Sequence, residues 1–592
     1  MNPEQSQPPG SPIPGVAIVI ALIVGVLFVT DIPYKSSRPK NPDDVKPLSS
    51  DTEDVRARLW EDPFTAVKRH RKKLESGKHK SCQHNEQRLI REIHQKKKSE
   101  SGDVVVLGVM VFGGTYAENI ERRIRSRYAI LSALATLGYV PEDEKYLGYI
   151  ENQSNNKRIP EIIPYEWLIP CKIKPASKPK PPVLLLWLKD DAFSPNPLKK
   201  LGELKNLLEG KANSDETCET WCPLPIPPDF PSFEGKANSD GTPELIFKVV
   251  GPAGSTTLMA MVKEIFNGLN KNSDTLKGIE IFSSAATVDD NLILKQNKID
   301  RNLNIEDIED IEDLFKQKLP DVKFVRTIGT DKLLTDALLD ELVLRGVDPK
   351  ESHIVLVSEW DTFYGRTLPF TFSESVKDRS VKDCSDVETA QKNIHRFSYL
   401  RGIDGQIPDG SNSNISNAAS LNGEKQDKKD QALEKTVGQN QLDYIRRLAA
   451  SLKDLDKQLR HKDGYGVKAI GVLGSDVYDK LLLLQALHAE FQNVIFFTTD
   501  LDVRLLSPDG LEWTRNLVIA SNFGLQLNQL LQKNIPPFRD SYQTSMFFST
   551  LIAMNSSKAW CNQNIINEWL SKPRIFEVGK NGAVDLSHDK NN

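Results

Sequence analysis

The sequence predicts an α/β protein with Rossmann-like parallel sheets, preceded by one N-terminal transmembrane helix. Short apolar runs recur along the chain, helical patterns separate many of them, and one uncharged apolar stretch stands near the N-terminus. Strands that are apolar along their whole length are typically buried on both faces. Their alternation with helices is typical of parallel sheets covered by helices.

The transmembrane helix is predicted over residues 11–30, after a short polar tail at residues 1–10. No charged residue occurs from Ser11 to Thr30, and the stretch from Gly15 to Val29 is almost wholly aliphatic. At about 1.5 Å per residue, such a helix just crosses a hydrocarbon core of about 30 Å. A cleaved signal peptide would begin with basic residues and end at small residues. Since both features are missing, we expect a retained anchor; the alternative is a buried core helix.

Residues 31–100 are predicted to form a basic juxtamembrane spacer. Twelve of the residues between Thr65 and Lys98 are Lys or Arg, against three acids. Basic residues beside a membrane segment stay on the cytoplasmic side, which places the body in the cytoplasm; the alternative is a periplasmic or extracytoplasmic body. We also expect this stretch to contact membrane lipid, although a solvated spacer would have the same composition.

Composition limits the classes of function. The 592 residues suffice for two or three domains, and 39% hydrophobic with 27% charged residues excludes a polytopic membrane protein. A formal net charge of −4, with the basic residues concentrated before the body, argues against a nucleic-acid partner. The spacing of Cys218 and Cys222 suits a zinc site, but no second pair follows at a suitable distance, so no metal or cofactor is expected.

The predicted strands follow one another in a regular order. The run from Val104 to Phe112 is followed by Gly113-Gly114 and a helix with one apolar stripe. Further apolar runs lie at residues 183–188, 245–250, 279–284, 322–326, 353–358, 467–473, 493–499 and 516–521. Two stretches interrupt this order: a Pro-rich insertion at 189–243 and a polar insertion at 403–440, which we predict to be disordered.

Candidate binding residues lie just after the strands, because parallel sheets bind ligands at the carboxyl ends of their strands. These loops supply hydroxyls, an aromatic ring and carboxylates, but no nucleophile paired with a base. The loop before the helix at 256 also suits a small anion, or simple capping of that helix by Ser255 or Thr256. The candidate ligand-binding residues are Ser255, Thr256, Ser284, Ala285, Thr287, Tyr364, Asp476 and Asp500.

Five of these segments occur in an order that resembles a known family. The segments GPAGSTTL, FSSAATVDD, FVRTIGTDKLLTDALLDEL, IVLVSEWDTFYGR and IGVLGSDVYDKLLLLQAL resemble the type 1 periplasmic-binding fold. They are most similar to its branched-chain amino-acid-binding and receptor ligand-binding branch. The resemblance implies a two-lobed body, with lobe 1 at residues 101–345, lobe 2 at 346–530, and a C-terminal return segment and tail at 531–592.

The resemblance also implies roles for the candidate residues. Ser255 would bind a ligand carboxylate, and Ala285 and Thr287 would contact the carboxylate or the ammonium. Tyr364 would close over the ligand from the second lobe, and Asp476 or Asp500 would pair with an ammonium.

The leading hypothesis is therefore a membrane-anchored, non-enzymatic binding or sensor protein for a small polar, amino-acid-like molecule. Its partners would be that ligand, membrane lipid and a protein that the sequence does not identify. Two alternatives stay open. One is a membrane-anchored scaffold that keeps the fold without a ligand, and the other is an enzyme acting on a nucleotide or sugar.

Overall fold

The structure is a computed structural model, and it describes most of the body of the chain. The described residues are 55–76, 86–99, 103–114, 116–151, 162–171, 180–210, 245–269, 275–299, 308–380, 391–403, 428–555 and 563–587. The predicted tail at 1–10 and transmembrane helix at 11–30 lie outside them, as do 211–243 of the first insertion and 404–427 of the second. Within the described ranges, no helix is long and apolar enough to span a bilayer.

The first sheet has nine strands among the described residues, with a parallel centre and an antiparallel extension. Strands β6, β2, β7, β8 and β9 run parallel in that spatial order, and β5, β4 and β1 continue the sheet beyond β6. Strand β3 pairs with β5. The strands are β1 (Val55–Arg56), β2 (Val104–Val111), β3 (Tyr139–Pro141), β4 (Tyr146–Glu151), β5 (Ile162–Pro170), β6 (Val183–Lys189), β7 (Leu245–Val250), β8 (Ile279–Ser283) and β9 (Lys323–Arg326).

Helices cover both faces of this sheet, which explains why all eight residues of β2 are buried. Helices α2 and α4 to α8 share a core with one face, while α1 and α3 share a core with the other. These helices are α1 (Pro63–Ser76), α2 (Glu86–Ser99), α3 (Ala117–Thr136), α4 (Asp190–Phe193), α5 (Pro197–Leu208), α6 (Ser255–Phe266), α7 (Asp290–Ile299) and α8 (Ile311–Lys318). We call the first sheet with its covering helices lobe 1.

The second sheet, with its covering helices, forms lobe 2. Its spatial order is β11-β10-β12-β13-β14-β15-β16, parallel from β11 to β14 and antiparallel beyond. The strands are β10 (His353–Glu359), β11 (Ile394–Tyr399), β12 (Val467–Leu473), β13 (Ile495–Thr499), β14 (Val518–Ser521), β15 (Arg574–Gly579) and β16 (Gly582–Asp585). The helices of this lobe are α9 (Asp331–Leu344), α10 (Phe363–Ser380), α11 (Lys428–Asp463), α12 (Val477–Glu490) and α13 (Leu511–Thr514). The next helix, α14 (Gln529–Gln532), packs on lobe 1 through Leu531.

The described chain passes between the lobes at three places. It leaves lobe 1 after β9, returns after β14, and leaves again before β15. On its return it forms α15 (Ser541–Met554) and α16 (Gln563–Leu570), which pack on the same face of the first sheet as α3. The return segment is therefore part of lobe 1 up to α16 and part of lobe 2 from β15.

The structure differs from the predicted boundaries of the lobes and insertions. Helix α9 was placed in lobe 1, but its Leu334 and Leu338 share a core with Leu356 and Phe497 of lobe 2, because the chain crosses directly after β9. The predicted insertion from 189 begins with helices α4 and α5, which pack on the first sheet. The second insertion overlaps α11, which already begins at Lys428.

The described part of the predicted basic spacer is also built into lobe 1. Leu89 and Ile93 of α2 lie in the core of the lobe, and the carboxylate of Glu92 accepts a hydrogen bond of 3.0 Å from the indole of Trp167. Two basic side chains of the segment pair with acids of the body, Arg71 with Glu151 and Lys96 with Glu142, and two pair within the segment, Arg69 with Glu61 and Arg88 with Glu92. The segment was predicted to be a spacer because its many charges obscure the apolar stripe of these helices, and this stripe packs on lobe 1.

A buried ion pair fastens this N-terminal segment to α3. The guanidinium of Arg123 donates from Nε and Nη2 to the two carboxylate oxygens of Asp62, both at 2.9 Å. Its Nη1 donates to the carbonyls of Phe112 and Gly114. Asp62 also accepts from the amide and hydroxyl of Thr65 at the start of α1. Both partners of the pair are buried, so neither can turn to water if the other is removed.

We expect Asp62→Ala to lower the free energy of unfolding by about 3–5 kcal/mol, because it leaves the buried Arg123 without its counter-ion. The measurement is urea denaturation followed by circular dichroism. Arg447→Ala is the matched control, since its ion pair with Asp443 is exposed and such pairs contribute only about 0.5 kcal/mol. A loss below about 1 kcal/mol in Asp62→Ala would show that the N-terminal segment is not part of the cooperative unit.

Candidate functional site

The carboxyl ends of the parallel strands of the two lobes meet in one cleft. The hydroxyl of Tyr116, in the loop after β2 of lobe 1, donates to the carboxylate of Asp476, just after β12 of lobe 2. The guanidinium of Arg122 on α3 donates to the carbonyl of Ser475 in the same loop of lobe 2. The loops that the sequence singled out therefore lie at the interface of the lobes.

Ser255 joins two of these loops within lobe 1. Its hydroxyl oxygen accepts hydrogen bonds from the amides of Thr287 and Val288, both at 3.1 Å. Asp190 fixes the same loop from behind, because its carboxylate accepts from the amide of Ala253 and the hydroxyl of Thr257 at 3.1 and 2.6 Å. Both acceptor positions of the Ser255 hydroxyl are thus occupied, so that only its proton remains for a ligand.

Helix α15 is hydrogen-bonded to the loop after β8. The hydroxyl of Ser545 donates to the carbonyl of Ser284 at 2.7 Å, and the hydroxyls of Thr327 and Ser549 lie 2.6 Å apart. The hydroxyls of Ser283 and Ser284 are buried and make no hydrogen bond with the described residues. Polar groups in this state are rare inside proteins, and they mark the loop as a place where a ligand can supply partners.

Asp331, at the first position of α9, is the most unusual group of the cleft. Its side chain is 0% exposed, yet neither carboxylate oxygen makes a hydrogen bond of acceptable geometry with any described residue. Its amide donates to the carbonyl of Thr287 at 2.6 Å, which places it beside the loop after β8. Burial raises the pKa of Asp331 to about 7; the Thr287 hydroxyl opposes the rise, and the charge of Asp500 adds to it.

Tyr364 and Asp500 approach from lobe 2. The hydroxyl of Tyr364 donates to the carboxylate of Asp500 at 3.0 Å and lies 3.0 Å from the hydroxyl of Thr499. Burial, and then the charges of Asp500 and Asp331 among others, hold the pKa of Tyr364 well above its usual value. Asp500 has a φ of 64°, a left-handed conformation that is uncommon for residues other than glycine and is often found at functional sites.

Two further side chains close the cleft, Tyr542 of α15 and Arg122 of α3. The guanidinium carbon of Arg122 lies 5.1 Å from the ring centre of Phe112 and 5.7 Å from that of Tyr542. Burial raises the pKa of Tyr542 well above its usual value, and the charges of Asp500 and Asp331 add to this rise while Arg122 opposes it. Tyr542 therefore contacts the guanidinium of Arg122 and is close enough to both carboxylates for their charges to affect its pKa.

The structure joins two of the predicted site residues directly, Tyr364 and Asp500, and places a third, Thr287, beside Asp331. Ser255 accepts a hydrogen bond from the amide of Thr287. Ser284 and Ala285 lie in the same loop as Thr287. Asp476 is fully buried, and its carboxylate caps α12 at the amide of Tyr478 (2.9 Å) and accepts from Tyr116, so it already has partners. Thr256 is exposed on α6. The ligand-binding roles of all these residues stay predictions.

The sequence reasoning missed Asp331, Tyr542 and Arg122. Asp331 stands within the segment FVRTIGTD that carried the family resemblance, after a strand end, and could have been selected by the same rule as the other loops. Tyr542 and Arg122 are on helices, where no local pattern shows which side faces a cleft. Within the described residues no group of three or more His, Cys, Asp or Glu side chains is arranged to hold a metal ion.

Comparisons with known proteins return structures of one class. No protein-family model and no curated protein matches the chain. A possible leucine/isoleucine/valine-binding protein from Rhodopirellula baltica is similar at 13% identity, with a TM-score of 0.40, over 83% of this chain and 98% of that one. A leucine-binding protein from Thermotoga maritima has 9% identity and a TM-score of 0.36 over 81% and 97% of the two chains. A fatty acid transporter substrate-binding protein from Thermomonospora curvata has 9% identity and a TM-score of 0.37 over 82% and 92%.

These structures belong to the class that the sequence motifs resemble. They differ from this chain too much for their ligands to be transferred to it. The two-lobed α/β fold follows from the chain's own sheets and crossovers.

We expect Asp331→Asn to stabilise the unliganded protein in a pH-dependent way. The pKa of this acid rises from 3.8 in the unfolded chain to about 7 in the folded protein. The folded protein therefore loses stability as the pH increases from about 4 to 7, and above about pH 7 the loss is complete and constant. Relative to the wild type, the variant should gain stability between about pH 4 and 7, by at most about 4 kcal/mol at 1.36 kcal/mol per pKa unit.

Urea denaturation of both proteins at several pH values between 4 and 8 measures this gain. The carboxyls of Asp190 and Glu264, whose pKa values burial also raises to about 7, are common to both proteins and cancel in the difference. A difference that does not change with pH would contradict the assignment of a raised pKa to Asp331.

Proposed function

We propose that this protein binds a small molecule bearing an ammonium group, amino-acid-like in size and polarity, in the cleft between its lobes. The supporting observation is Asp331, a fully buried carboxylate whose oxygens make no hydrogen bond of acceptable geometry with the described residues, although the Thr287 hydroxyl lies near enough to lower its pKa. A buried charge without a partner is costly, and proteins seldom retain one unless something binds it. An ammonium placed between Asp331 and Asp500 supplies that partner.

The same groups provide a mechanism for closure. Thr287 belongs to lobe 1, Asp331 lies where the chain crosses between the lobes, and Tyr364 and Asp500 belong to lobe 2. A ligand that contacts all four makes more contacts when the lobes are closed than when they are open. Binding therefore shifts the population toward the closed state, by a hinge motion at the crossovers.

A binding role without catalysis fits the side chains of the cleft. The described residues around Asp331 and Asp500 supply carboxylates, hydroxyls, aromatic rings, a guanidinium and the buried amine of Lys480, which donates to the carbonyl of Thr499 at 2.8 Å. Acyl or group transfer needs a nucleophile held beside a base, and the Lys480 amine is instead bonded to the backbone. This inventory suits recognition of a polar molecule by hydrogen bonds and charge.

A scaffold without a ligand is the second candidate function. It is favoured by the contacts that already join the lobes directly, Tyr116 with Asp476 and Arg122 with the carbonyl of Ser475. Such contacts could keep the cleft closed and leave the protein to act through its surface. The burial of Asp331 without a well-formed hydrogen bond favours the binding role, because a permanently closed scaffold gains nothing from such a carboxylate.

We further propose that the protein is anchored in a membrane by the helix predicted at residues 11–30, with its body on the cytoplasmic side. The apolar length of that stretch and the basic residues that follow it support the proposal. The described part of the basic segment folds onto lobe 1, so these basic residues belong to the body that the anchor would hold at the membrane.

For ligand binding, we expect at least one amino acid or primary amine to raise the melting temperature of the full chain in a thermal-shift screen. The affinity for that molecule, measured by titration calorimetry, should fall about tenfold per pH unit below about pH 7, because protonation of Asp331 removes the charge that holds the ammonium. Asp331→Asn should lower the affinity roughly 30-fold or more and abolish this pH dependence.

The matched control is Asp340→Asn, which removes an exposed carboxylate from the same helix and should leave the affinity unchanged. If neither amino acids nor amines stabilise the wild-type protein, or if both variants bind alike, the cleft is not an ammonium site.

For the anchor, we expect the full chain to sediment with membranes and to stay there after washing with high salt, whereas a chain lacking residues 1–40 should be released. Protease added to sealed inside-out vesicles should digest a C-terminal tag, while right-side-out vesicles should protect it. Protection in the opposite orientation would place the body outside the cytoplasm.

A further inference from the structure

Helix α1 carries a basic face on the outside of lobe 1. Its Phe64 and Val67 are buried in the cores of the lobe. With 3.6 residues per turn, positions 68, 69, 72 and 73 lie together on the opposite side of the helix. All four are basic, and we call them the basic face of α1: Lys68, Arg69, Lys72 and Lys73. The three lysines of this face are exposed.

The charges of the basic face repel one another. Lys68 and Lys72 are four residues apart, as are Arg69 and Lys73, and like charges at this spacing destabilise a helix. The nearest carboxylate described beside the face is that of Glu61, which accepts from Nη2 of Arg69 at 3.1 Å. The stretch 63–74 contains no acid that could balance the repulsion within the helix. An anionic partner lying over the face would therefore stabilise α1.

An exposed tryptophan lies beside the basic face. The side chain of Trp60 is 62% exposed, and the guanidinium carbon of Arg58 lies 5.6 Å from its ring centre. Glu61 connects the two features, because one of its carboxylate oxygens accepts from the amide of Arg58 and from Nη2 of Arg69. Exposed indoles beside cations are typical of surfaces at a bilayer, where tryptophan lies among the headgroups and basic side chains approach the phosphates.

The distribution of charge along the chain also favours a bilayer as the partner. The whole chain has a formal net charge of −4, although the stretch from Thr65 to Lys98 has twelve basic residues and three acids. The remainder of the chain is therefore acidic on balance. An anionic surface attracts this end of lobe 1 and repels the remainder, so the charges select one orientation of the body. The predicted anchor precedes α1 in the chain and would keep such a surface within reach.

We propose that the basic face of α1, together with Trp60, docks lobe 1 on the headgroups of an anionic bilayer. The lysines approach the lipid phosphates, and the indole lies at the level of the headgroups. The inference rests on the proposed anchor for its nearness to the membrane, and it goes further, because a tether alone leaves the body free to rotate. Docking determines which side of lobe 1 faces the bilayer.

The test measures how far lipid protects the lysines of the basic face. The full chain is reconstituted into nanodiscs of phosphatidylcholine, or of phosphatidylcholine with phosphatidylglycerol, and treated with an uncharged amine-acetylating reagent. Mass spectrometry gives the rate for each lysine. We expect Lys68, Lys72 and Lys73 to react at least about fivefold more slowly in the anionic nanodiscs, since each cation near such a surface favours docking about fivefold. High salt should remove the difference.

Matched variants separate docking from the general charge of the protein. Lys68→Gln combined with Lys72→Gln should reduce the protection of Lys73 to less than about twofold, because two of the three exposed cations are lost. Lys453→Gln combined with Lys457→Gln removes two exposed cations from α11 of lobe 2 and should leave the protection of Lys73 unchanged. Circular dichroism shows that each variant is folded.

A second pair of variants tests the indole. Trp60→Ala should raise the acetylation rates in anionic nanodiscs toward those in neutral ones, because it removes the ring from the headgroup layer. Trp360→Ala, which removes an indole that is 51% exposed on lobe 2, should have no such effect.

The outcomes distinguish this inference from the proposed anchor. Equal acetylation rates in neutral and anionic nanodiscs that both retain the chain overturn the docking surface, while the anchor stands. Retention by anionic nanodiscs alone, with the three lysines protected, contradicts the anchor and supports the docking surface. Retention by neither overturns both. Protection of these lysines by added polyuridylic acid but not by anionic lipid would assign the face to a nucleic acid and overturn the proposal.

Discussion

The buried carboxylate of Asp331 is the group around which the cleft is organised. It stands where the chain first leaves lobe 1, and its amide is bonded to the Thr287 carbonyl of that lobe while its helix packs into the core of lobe 2. The position is therefore fixed by both lobes. Because the carboxylate makes no hydrogen bond of acceptable geometry with the described residues, its charge acts on the neighbouring Tyr364 and Tyr542, whose pKa values it helps to raise.

The loops around this carboxylate are held by polar contacts that do not face the cleft. Asp190 accepts from the loop before α6, Ser255 joins that loop to the one after β8, and Ser545 of α15 holds the latter from the far side. Helix α15 arrives from a distant part of the sequence, and its buried hydroxyls bond to backbone carbonyls at almost every turn. A rigid frame of this kind keeps the positions of Thr287 and Asp331 constant whatever fills the cleft.

The sequence predicted those strands whose burial can be read from the apolar pattern of neighbouring residues. The strands β2, β6, β7, β8, β10 and β12 coincide with apolar runs because helices bury both of their faces. The antiparallel strands β3 to β5 were missed, since Tyr146–Glu151 and its partners are only partly apolar and take their register from each other. Helix α2 was taken as spacer because its many charges concealed Leu89 and Ile93, which are buried by contacts with residues far along the chain.

The same distinction holds in the site. Thr287, Tyr364 and Asp500 could be selected because they directly follow strands, and the carboxyl ends of parallel strands share one edge of a sheet. Asp476 follows the same rule, but the amide of Tyr478 and the hydroxyl of Tyr116 engage its carboxylate, and only the three-dimensional contacts show this. Burial without a partner, the property that singles out Asp331, is invisible in a sequence because it depends on every element packed around the residue.

Adjacent arginines of α3 connect the cleft with the N-terminal part of the chain. Arg122 faces the cleft, where it lies over Phe112 and Tyr542, while Arg123 turns to the other side and forms the buried pair with Asp62. Arg123 also holds the carbonyls of Phe112 and Gly114, so that the N-terminal segment and the wall of the cleft share one guanidinium. The hydrogen bonds of Arg123 therefore reach from Asp62 of the N-terminal segment to the backbone of Phe112, whose ring lies beside the guanidinium of Arg122. Because the pair with Asp62 is buried, this link is closed to water and belongs to the packed interior that supports the wall of the cleft.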